Sequence, residues 1–317
     1  MDAHLPTYML VNPASQSGKG MKIWESLKGR FEAASVRGTV LTSTREVGLG
    51  DLARDVTRDG KECNLLVFGG DGTLSEVIAG IPDLGRVNIG CIGTGSSNDF
   101  LRSLGQDRPQ KAVEAILARK EPVCRDLGEI CYLDEEGKER RRVFLVSAGM
   151  GFDAACCEMA NRSRLKGVLN KIGLGKLVYV ACAFRLIAFS HLYPMKVTLE
   201  RAGGETVVHT FDRPLFAVCM NHPYEGGGFQ FCPDADGTDG ILDLCVAADI
   251  PRPKFFMLLP KAYDGGHVDD KGVVIDRGLS VTIESETPLF FHTDGETTGK
   301  TRYLRAELHP LAVRLWN

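Results

Sequence analysis

The stretch LLVFGGDGTLSE at residues 65–76 constrains the fold more than any other part of this sequence. The continuous apolar run at residues 65–68 predicts a strand that is buried on both faces, as in a parallel sheet. After Gly72, apolar residues at positions 74, 77, 78 and 81 follow the spacing of one helix face. Glycines therefore stand where a buried strand passes into a helix, which predicts a layered α/β fold.

The same junction predicts a binding site for an anion. Glycine allows the backbone to take φ > 0 and lets a ligand approach the main chain closely. The N–H groups of the first helical turn then favour a phosphate. Asp71 would repel that phosphate unless a cation lies between them, so the combination indicates a magnesium–nucleotide site. The alternative is a tight strand–helix turn in which Asp71 is only a capping residue.

Residues 1–125 alternate strand and helix patterns, which predicts an α/β domain with a doubly wound parallel sheet. Strands are predicted near residues 8–11, 39–41, 65–68 and 87–92. Ligands bind beyond the carboxyl ends of the strands in such sheets. The loops after Val11, Leu41, Phe68 and Ile92 are therefore candidates for one shared site.

Residues 126–301 change to short β-like runs separated by turn residues, which predicts a second, mostly antiparallel β domain. The run DEEGKERRR indicates an exposed hairpin, and a helical insertion is predicted at about residues 154–190. LSVTIES and PLFFHTD are two of the predicted strands. We assign residues 302–317, which return to β signals, to the first domain, although the pattern alone leaves their domain open.

Composition excludes several classes of protein. The net charge of −3 provides no basic field for nucleic acid. The N-terminus lacks a signal peptide and no apolar run is long enough to span a membrane, so we expect a cytoplasmic location. None of the ten cysteines forms a CxxC pair, which indicates reduced core residues. The lone histidines, including His292, are interpreted as core or surface residues rather than catalysts.

Two acidic motifs in the second domain each allow two interpretations. The segment PDADGTDGILDL is dense in aspartate, which suits either a metal loop without EF-hand spacing or a solvated turn-rich loop. The segment FFHTDGE places Asp294 and Glu296 after an apolar strand. A carboxylate there can act as a general base toward a substrate hydroxyl, whereas Asp-Gly also favours a simple hairpin turn.

Four motifs in this order and spacing resemble the diacylglycerol kinase catalytic-domain family: GGDGTLSE, GSSNDFLR, YEGGGFQFCPDADGTDGILD and TDGE. The closest resemblance is to the soluble bacterial lipid kinases, and sphingosine and ceramide kinases are more distant. The resemblance implies a nucleotide domain of the NAD-kinase and phosphofructokinase type. It also implies a β-sandwich-like second domain that carries the helical insertion.

The resemblance also implies roles for individual residues. Glu296 corresponds to the proton acceptor of the family, and Asp294 beside it to a positioning group. The implied Mg²⁺ ligands are Asp71, Asp236, Asp239 and Ile241. The implied ATP-binding residues are Asn12, either Thr42 or Thr44, Gly69, Gly70, Asp71, Gly72, Thr73, Leu74, Ser75, Gly95, Ser96, Asn98 and Asp99.

The implied activity is transfer of the γ-phosphate of ATP to a lipid hydroxyl, with diacylglycerol giving phosphatidate as the default reaction. The sequence leaves open which lipid alcohol is the acceptor. Two other functions stay open: a soluble NAD kinase-like enzyme, because NAD kinases share GGDGT, and a lipid- or nucleotide-binding module without turnover.

Residues 159–199 contain seven basic and no acidic residues, interleaved with apolar ones. This composition predicts peripheral docking on an anionic membrane surface. The alternative is a helix packed on the β domain with a solvated basic face. Soluble members of the family suggest a homodimer, whereas the sequence pattern itself leaves the oligomeric state open.

Overall fold

The computed structural model describes residues 5–118, 121–162, 182, 185–187 and 191–316. The chain divides into two compact units. The first comprises Met1–Leu127 and Pro310–Asn317, and the second comprises Gly128–His309.

The first unit is built on parallel strands with helices between them. Its strands are β1 (Thr7–Val11), β2 (Thr39–Thr42), β3 (Cys63–Gly69) and β4 (Val87–Gly93). Its helices are α1 (Ser15–Gly18), α2 (Gly20–Ala33), α3 (Leu49–Thr57), α4 (Asp71–Gly80), α5 (Asp99–Ser103) and α6 (Pro109–Ala118), and a 3₁₀ turn covers Leu84–Arg86. The strand order is β2-β1-β3-β4, and all of these pairs are parallel.

Both faces of this sheet are covered. Every residue of β3 is buried, as the apolar run predicts. Side chains of α2 and α6 form one core with alternate residues of β1 and β3, including Phe31, Phe68 and Ile116. Trp316 at the end of the chain joins this core, and its strand pairs in parallel with β4. The doubly wound parallel sheet predicted from sequence is thus confirmed.

The second unit is mainly antiparallel. Its described elements are β6 (Glu139–Phe144), β7 (Ser147–Gly151), α7 (Phe152–Arg162), β8 (Met195–Glu200), β9 (Thr206–Phe211), β10 (Pro214–Met220), β11 (Tyr224–Glu225), β12 (Phe229–Gln230), β13 (Leu242–Ala248), α8 (Arg252–Ala262), β14 (Val273–Gly278) and β15 (Ser280–Thr293). The boundaries between the units fall within β5 (Val123–Leu133) and β16 (Glu296–Trp316). Strands β14, β13, β10, β7 and β15 follow one another as antiparallel neighbours, and β15 also pairs with β8. The predicted antiparallel β domain is confirmed.

The structure confirms a predicted hairpin and corrects a predicted pair of strands. The hairpin at DEEGKERRR is confirmed, because β5 and β6 pair antiparallel on either side of it. The prediction of separate strands at LSVTIES and PLFFHTD is wrong, because both belong to β15. The register of β15 against β16 shifts between Glu284 and Leu289, where Pro288 cannot donate a ladder hydrogen bond. The interruption that suggested a turn is therefore an irregularity within one strand.

The predicted helical insertion is described only where α7 begins it and at residues 182 and 185–187. The rest of it, including most of the basic stretch, lies outside the described residues. Within the part of the chain that the structure covers, no helix has the length and apolar character needed to cross a membrane. Seven of the ten cysteines are buried, as expected for reduced core residues.

Candidate functional site

In the first unit, the loops after β1, β3 and β4 are bonded to one another. Asn12 follows β1, and its Nδ2 donates to Thr73 Oγ1 at 3.1 Å. The Ser15 and Thr94 hydroxyls lie 2.7 Å apart. The predicted nucleotide loops therefore converge, as expected for the carboxyl edge of a parallel sheet.

The glycines of this edge are needed for close approach. None of Gly69, Gly70, Gly72 and Gly95 has a positive φ, so backbone freedom is not their reason. A Cβ on Gly95 would lie 2.7 Å from Gly70 Cα, and a Cβ on Gly69 would lie 2.4 Å from Thr73 Cβ. The expected positive φ is therefore wrong for these glycines, because the space of a Cβ is taken by the Gly70 backbone at Gly95 and by the Thr73 side chain at Gly69.

Asp71 and Asn98 hold this edge together. Asp71 begins α4, and its carboxylate accepts from the Asp99 N–H at 2.8 Å and the Phe100 N–H at 3.3 Å. Asn98 adopts the left-handed conformation that asparagine tolerates. Its Oδ1 accepts from the Gly95 N–H at 2.9 Å. The Asp71 carboxylate has further lone pairs for a cation, so its predicted contact with Mg²⁺ is compatible with these bonds.

The remaining predicted nucleotide residues differ in exposure. Thr42, the last residue of β2, and Thr44 are both exposed, and the Thr44 hydroxyl accepts from the Glu46 and Val47 N–H groups. Ser96 is exposed and Asp99 is buried. The Leu74 side chain is completely buried and belongs to the core. Its N–H donates to Gly70 O, so Leu74 stabilises the glycine loop through its backbone hydrogen bond and its core packing.

In the second unit, the acidic loop contains an arginine contact that the sequence did not indicate. Asp239 Oδ2 lies 2.5 Å from Arg277 Nη2, while its Oδ1 accepts from the Ile241 N–H at 2.9 Å. Arg277 Nε lies 3.1 Å from Asp243 Oδ1. Burial raises the pKa of Asp243 to about 6 although Arg277 opposes this rise. The loop is therefore an acidic cluster partly neutralised by one guanidinium.

The donor set of this loop suits a hard cation. Asp236, Asp239 and Ile241 offer only oxygen ligands, which Mg²⁺ prefers. The Asp236 carbonyl accepts from the Thr238 and Asp239 N–H groups, and the Asp239 carboxylate keeps unused lone pairs. Asp243 Oδ2 is buried and has no hydrogen-bond partner among the described residues. The loop thus retains acceptor capacity at Asp239 and Asp243, and a cation bound there would share Asp239 with Arg277.

Asp294 lies in the turn between β15 and β16, and it confirms the hairpin interpretation. Asp294 and Gly295 both have positive φ, 50° and 76°, as in a two-residue type I′ turn. The Asp294 carboxylate accepts from the N–H groups of Leu145, Val146 and Ser147 at 2.8–3.2 Å. These bonds anchor the turn to the start of β7.

Glu296 is the more available carboxylate of this motif. Its side chain is 56% exposed, and its Oε2 lies 3.1 Å from Arg142 Nη2. An exposed ion pair of this kind contributes little to stability. The pair can therefore orient the Glu296 carboxylate while leaving it accessible to a ligand.

His292 lies behind the turn and is completely buried. Its Nε2 is 2.8 Å from Asp153 Oδ2 and 3.3 Å from Glu225 Oε1. Its Nδ1 accepts from the Gly295 N–H at 3.2 Å. The expectation of a core histidine is right about burial, but sequence reasoning missed the two carboxylates.

The charge state of this cluster follows from its contacts. Burial opposes a charge on His292, yet the Glu225 and Asp153 carboxylates outweigh burial and raise the pKa of His292 to about 9. The Gly295 N–H can donate only to a nitrogen without a proton, so Nδ1 carries none. The Gly295 contact thus opposes the protonation that the two carboxylates favour, and in this geometry the ring proton lies on Nε2, facing Asp153.

Comparison with known proteins now decides the family. Residues 6–130 match the diacylglycerol kinase catalytic domain. Residues 146–317 match the YegS C-terminal NAD kinase beta sandwich-like domain. The chain belongs to the diacylglycerol kinase family.

Relatives in this kinase family align with most or nearly all of the chain. A Bacillus subtilis (strain 168) protein, YtlR, whose name describes it as a lipid kinase, is 27% identical over 312 residues, 97% of this chain and 98% of its own. A Mycobacterium tuberculosis (strain ATCC 25618 / H37Rv) diacylglycerol kinase is 28% identical over 279 residues, 87% of this chain and 84% of its own. A crystal structure of a diacylglycerol kinase from Bacillus anthracis str. Sterne shares the fold, with a TM-score of 0.66, 20% identity, and coverage of 98% and 96% of the two chains.

These findings confirm a diacylglycerol kinase-like lipid kinase at the level of the family, and a kinase family implies the use of ATP. The roles of individual residues stay predictions. Sequence reasoning missed Arg142, Arg277, Asp153 and Glu225 as partners of the predicted site. Glu225 stands inside the quoted motif YEGGGF, where an acidic residue in an apolar context was an unused signal.

Proposed function

We propose that this kinase transfers the γ-phosphate of ATP to the hydroxyl of a membrane lipid, with diacylglycerol as the substrate and phosphatidate as the product. The observation that carries the proposal is the environment of Glu296. In a chain with the diacylglycerol kinase domain, it is an exposed carboxylate beside a turn that Asp294 anchors through three backbone N–H groups.

The first unit would bind the nucleotide. Helix α4 begins at Asp71, next to Gly69 and Gly70, so the N–H groups of its first turn would favour the phosphates. The bonds from Asn12 to Thr73 and within residues 95–98 hold the adjoining loops in place before ATP binds. Preorganised donors of this kind need little rearrangement as charge develops on the transferred group.

The second unit would supply the base. The Glu296 carboxylate accepts the proton of the lipid hydroxyl while the lipid oxygen bonds to the γ-phosphorus. The bond between that phosphorus and the β–γ bridging oxygen breaks, and ADP leaves with the electron pair. Positioning and charge neutralisation dominate such transfers, so a fixed turn at residues 293–296 suits the step.

Mg²⁺ would neutralise phosphate charge when bound with ATP near Asp71, and a second Mg²⁺ would bind Asp236, Asp239 and Ile241. In this proposal the second ion supports the fold of the acidic loop. Arg277 shares the charge of Asp239 with it.

The direct test is transfer of labelled γ-phosphate to a panel of lipids in mixed micelles. The panel contains diacylglycerol, monoacylglycerol, sphingosine, ceramide and phosphatidylglycerol, with NAD as a soluble acceptor. We expect labelled phosphatidate, and we expect Glu296→Gln to lower kcat about 10²- to 10⁴-fold, the usual contribution of a general base.

Glu139→Gln is the matched control. Glu139 is similarly exposed, at 60%, and it also lies near an arginine, Arg141, at 3.5 Å. Its substitution should leave kcat unchanged. Label in NAD alone would contradict the lipid substrate, and equal activity of the two variants would contradict the role of Glu296.

We also propose peripheral contact with anionic membranes through residues 159–199. Of its basic side chains, the structure describes Arg185, which is exposed, and Lys196, which pairs with Glu284 at 3.0 Å. Each basic residue near such a surface contributes roughly 1 kcal/mol. Replacing four of them with glutamine should therefore release the protein from anionic vesicles. The four are Arg164, Lys166, Lys171 and Lys176.

The matched control replaces four exposed basic residues of the first unit, namely Lys22, Arg30, Arg58 and Lys61. Flotation with phosphatidylglycerol vesicles measures both variants, and unchanged binding by the first would remove the docking proposal. We propose a homodimer as the assembly, which sedimentation velocity would measure.

A further inference from the structure

The buried histidine behind the turn has two differently used ring nitrogens. Only Thr293 separates His292 from the Asp294–Gly295 turn, and the His292 backbone pairs with Gly149 of β7. Its Nε2 faces Asp153 and Glu225, and its Nδ1 accepts from the Gly295 N–H at 3.2 Å. The ring therefore connects a buried acidic pair to the peptide that joins Asp294 to Gly295.

The hydrogen bond from Gly295 determines the tautomer. A backbone N–H has one proton, and here it points at Nδ1, so the ring proton lies on Nε2 and donates to Asp153 Oδ2 at 2.8 Å. A metal ion in this cluster would need the Nε2 lone pair, and Nδ1 would then carry a proton facing the Gly295 N–H. The observed geometry thus favours a proton donor at Nε2 over a metal ligand.

Packing holds the ring in this orientation. A Cβ on Gly149 would lie 2.6 Å from Asp153 Oδ2 and 2.7 Å from His292 Nε2, so the bonded pair lies directly over the Gly149 Cα. The Asp153 side chain is only 9% exposed, and its Oδ1 has no hydrogen-bond partner among the described residues. Nε2–H is therefore an important donor to a buried carboxylate, and rotating the ring would cost that bond.

We propose that His292 is a positioning residue, whose Nδ1 fixes the Gly295 peptide and so sets the direction in which Glu296 leaves the turn. This inference rests on the proposed function, in which Glu296 is the base. The Asp294 carboxylate bonds one side of the turn to residues 145–147, and His292 Nδ1 accepts from the Gly295 N–H on the other side. A base must be aligned closely with the hydroxyl proton, so loss of either hydrogen bond should slow the chemical step.

Two substitutions separate the two ends of the ring. Asparagine places an amide oxygen near the position of Nδ1 and keeps an acceptor for Gly295. Glutamine reaches the position of Nε2 and keeps a donor for Asp153, but it provides no acceptor at Nδ1. We expect His292→Gln to lower kcat roughly 10- to 100-fold with an unchanged KM for ATP. We expect His292→Asn to keep kcat within about threefold while lowering the Tm, because Asp153 and Glu225 lose their donor.

Amide exchange of Gly295, followed by NMR, tests the hydrogen bond without reference to activity. The wild-type amide should be protected, the asparagine variant should keep that protection, and the glutamine variant should lose it. An unprotected Gly295 amide in the wild-type protein would overturn the proposal even if neither variant folds. Equal kcat in the glutamine variant and the wild type, or losses of kcat that follow only the Tm, would overturn it as well. If the wild type phosphorylates no lipid while Gly295 is protected, the proposed function fails and the hydrogen bond stands.

Discussion

Replacing Asp294 should loosen the start of β7, although the two lie far apart in sequence. The carboxylate accepts three backbone N–H groups, from Leu145, Val146 and Ser147. A hydrogen bond to a charged group contributes about 1.5–3 kcal/mol, but water can replace part of it because Asp294 is half-buried. We therefore expect Asp294→Ala to lower the free energy of unfolding by about 2–4 kcal/mol. About 1 kcal/mol of this comes from placing alanine at the left-handed φ of 50°.

Asp294→Asn separates the charge from the backbone conformation. Asparagine tolerates the left-handed region and keeps one acceptor oxygen, so we expect a loss of about 1–2 kcal/mol. Native-state hydrogen exchange of the amides at residues 145–147 measures these losses directly. A loss of 2–4 kcal/mol corresponds to exchange faster by about 30- to 1,000-fold.

Asp134→Asn is the matched control for this experiment. Asp134 also bonds backbone in a hairpin turn, accepting from the Glu136 and Lys138 N–H groups, but it makes no contact with residues 145–147 among the described hydrogen bonds. Its substitution should leave their exchange unchanged. Unchanged exchange in Asp294→Ala, in a folded protein, would refute the assignment of Asp294 as the anchor of this turn.

Three further predictions concern other parts of the chain. Gly95→Ala should weaken ATP binding about tenfold or more, because its Cβ would lie 2.7 Å from Gly70 Cα. Gly29→Ala, which meets nothing within 4 Å, is the calorimetric control. Titration of thiols in the native protein should show one fast-reacting group, the exposed Cys124, and Cys124→Ser should remove that fast phase. Cys63 should react slowly, because burial raises the pKa of its thiol to about 11. Bonds from His209 and Arg201 outweigh partial burial and lower the pKa of Asp276. Its stabilisation is thus present above the ordinary pKa of about 4 and lost as pH falls. Asp276→Asn should lower the Tm more at pH 7 than at pH 3, and an equal effect at both would contradict the ion pair.

Elements whose information is local were predictable from the sequence. The strand at residues 65–68 and the helix after it follow from a buried apolar run and a helical period, and both lie in β3 and α4. The Asp-Gly pair at 294–295 predicts a hairpin, because both residues tolerate the positive φ that a type I′ turn needs. Pro288 misled the strand prediction, because a proline that usually ends a strand is accommodated here at a register shift.

The partners of the charged residues were not predictable in this way. Arg142 pairs with Glu296 and Arg277 with Asp239, over separations of 154 and 38 residues. No periodic pattern links such positions, because strand register in the second unit brings them together. The reason for Gly95 was also hidden, since it lies in the close approach of two loops rather than in the φ of either one.

The sequence by itself determined the order of strands and helices, the turn types and the set of motifs that identifies a lipid kinase family. These depend on interactions among neighbouring residues, whose spacing is written in the chain. Only the tertiary structure decided which carboxylates are anchored, which are exposed and which face a buried histidine. Burial and hydrogen bonding set the state of a charge, and both depend on residues distant in sequence, as Asp294, Glu296 and His292 show within a single hairpin.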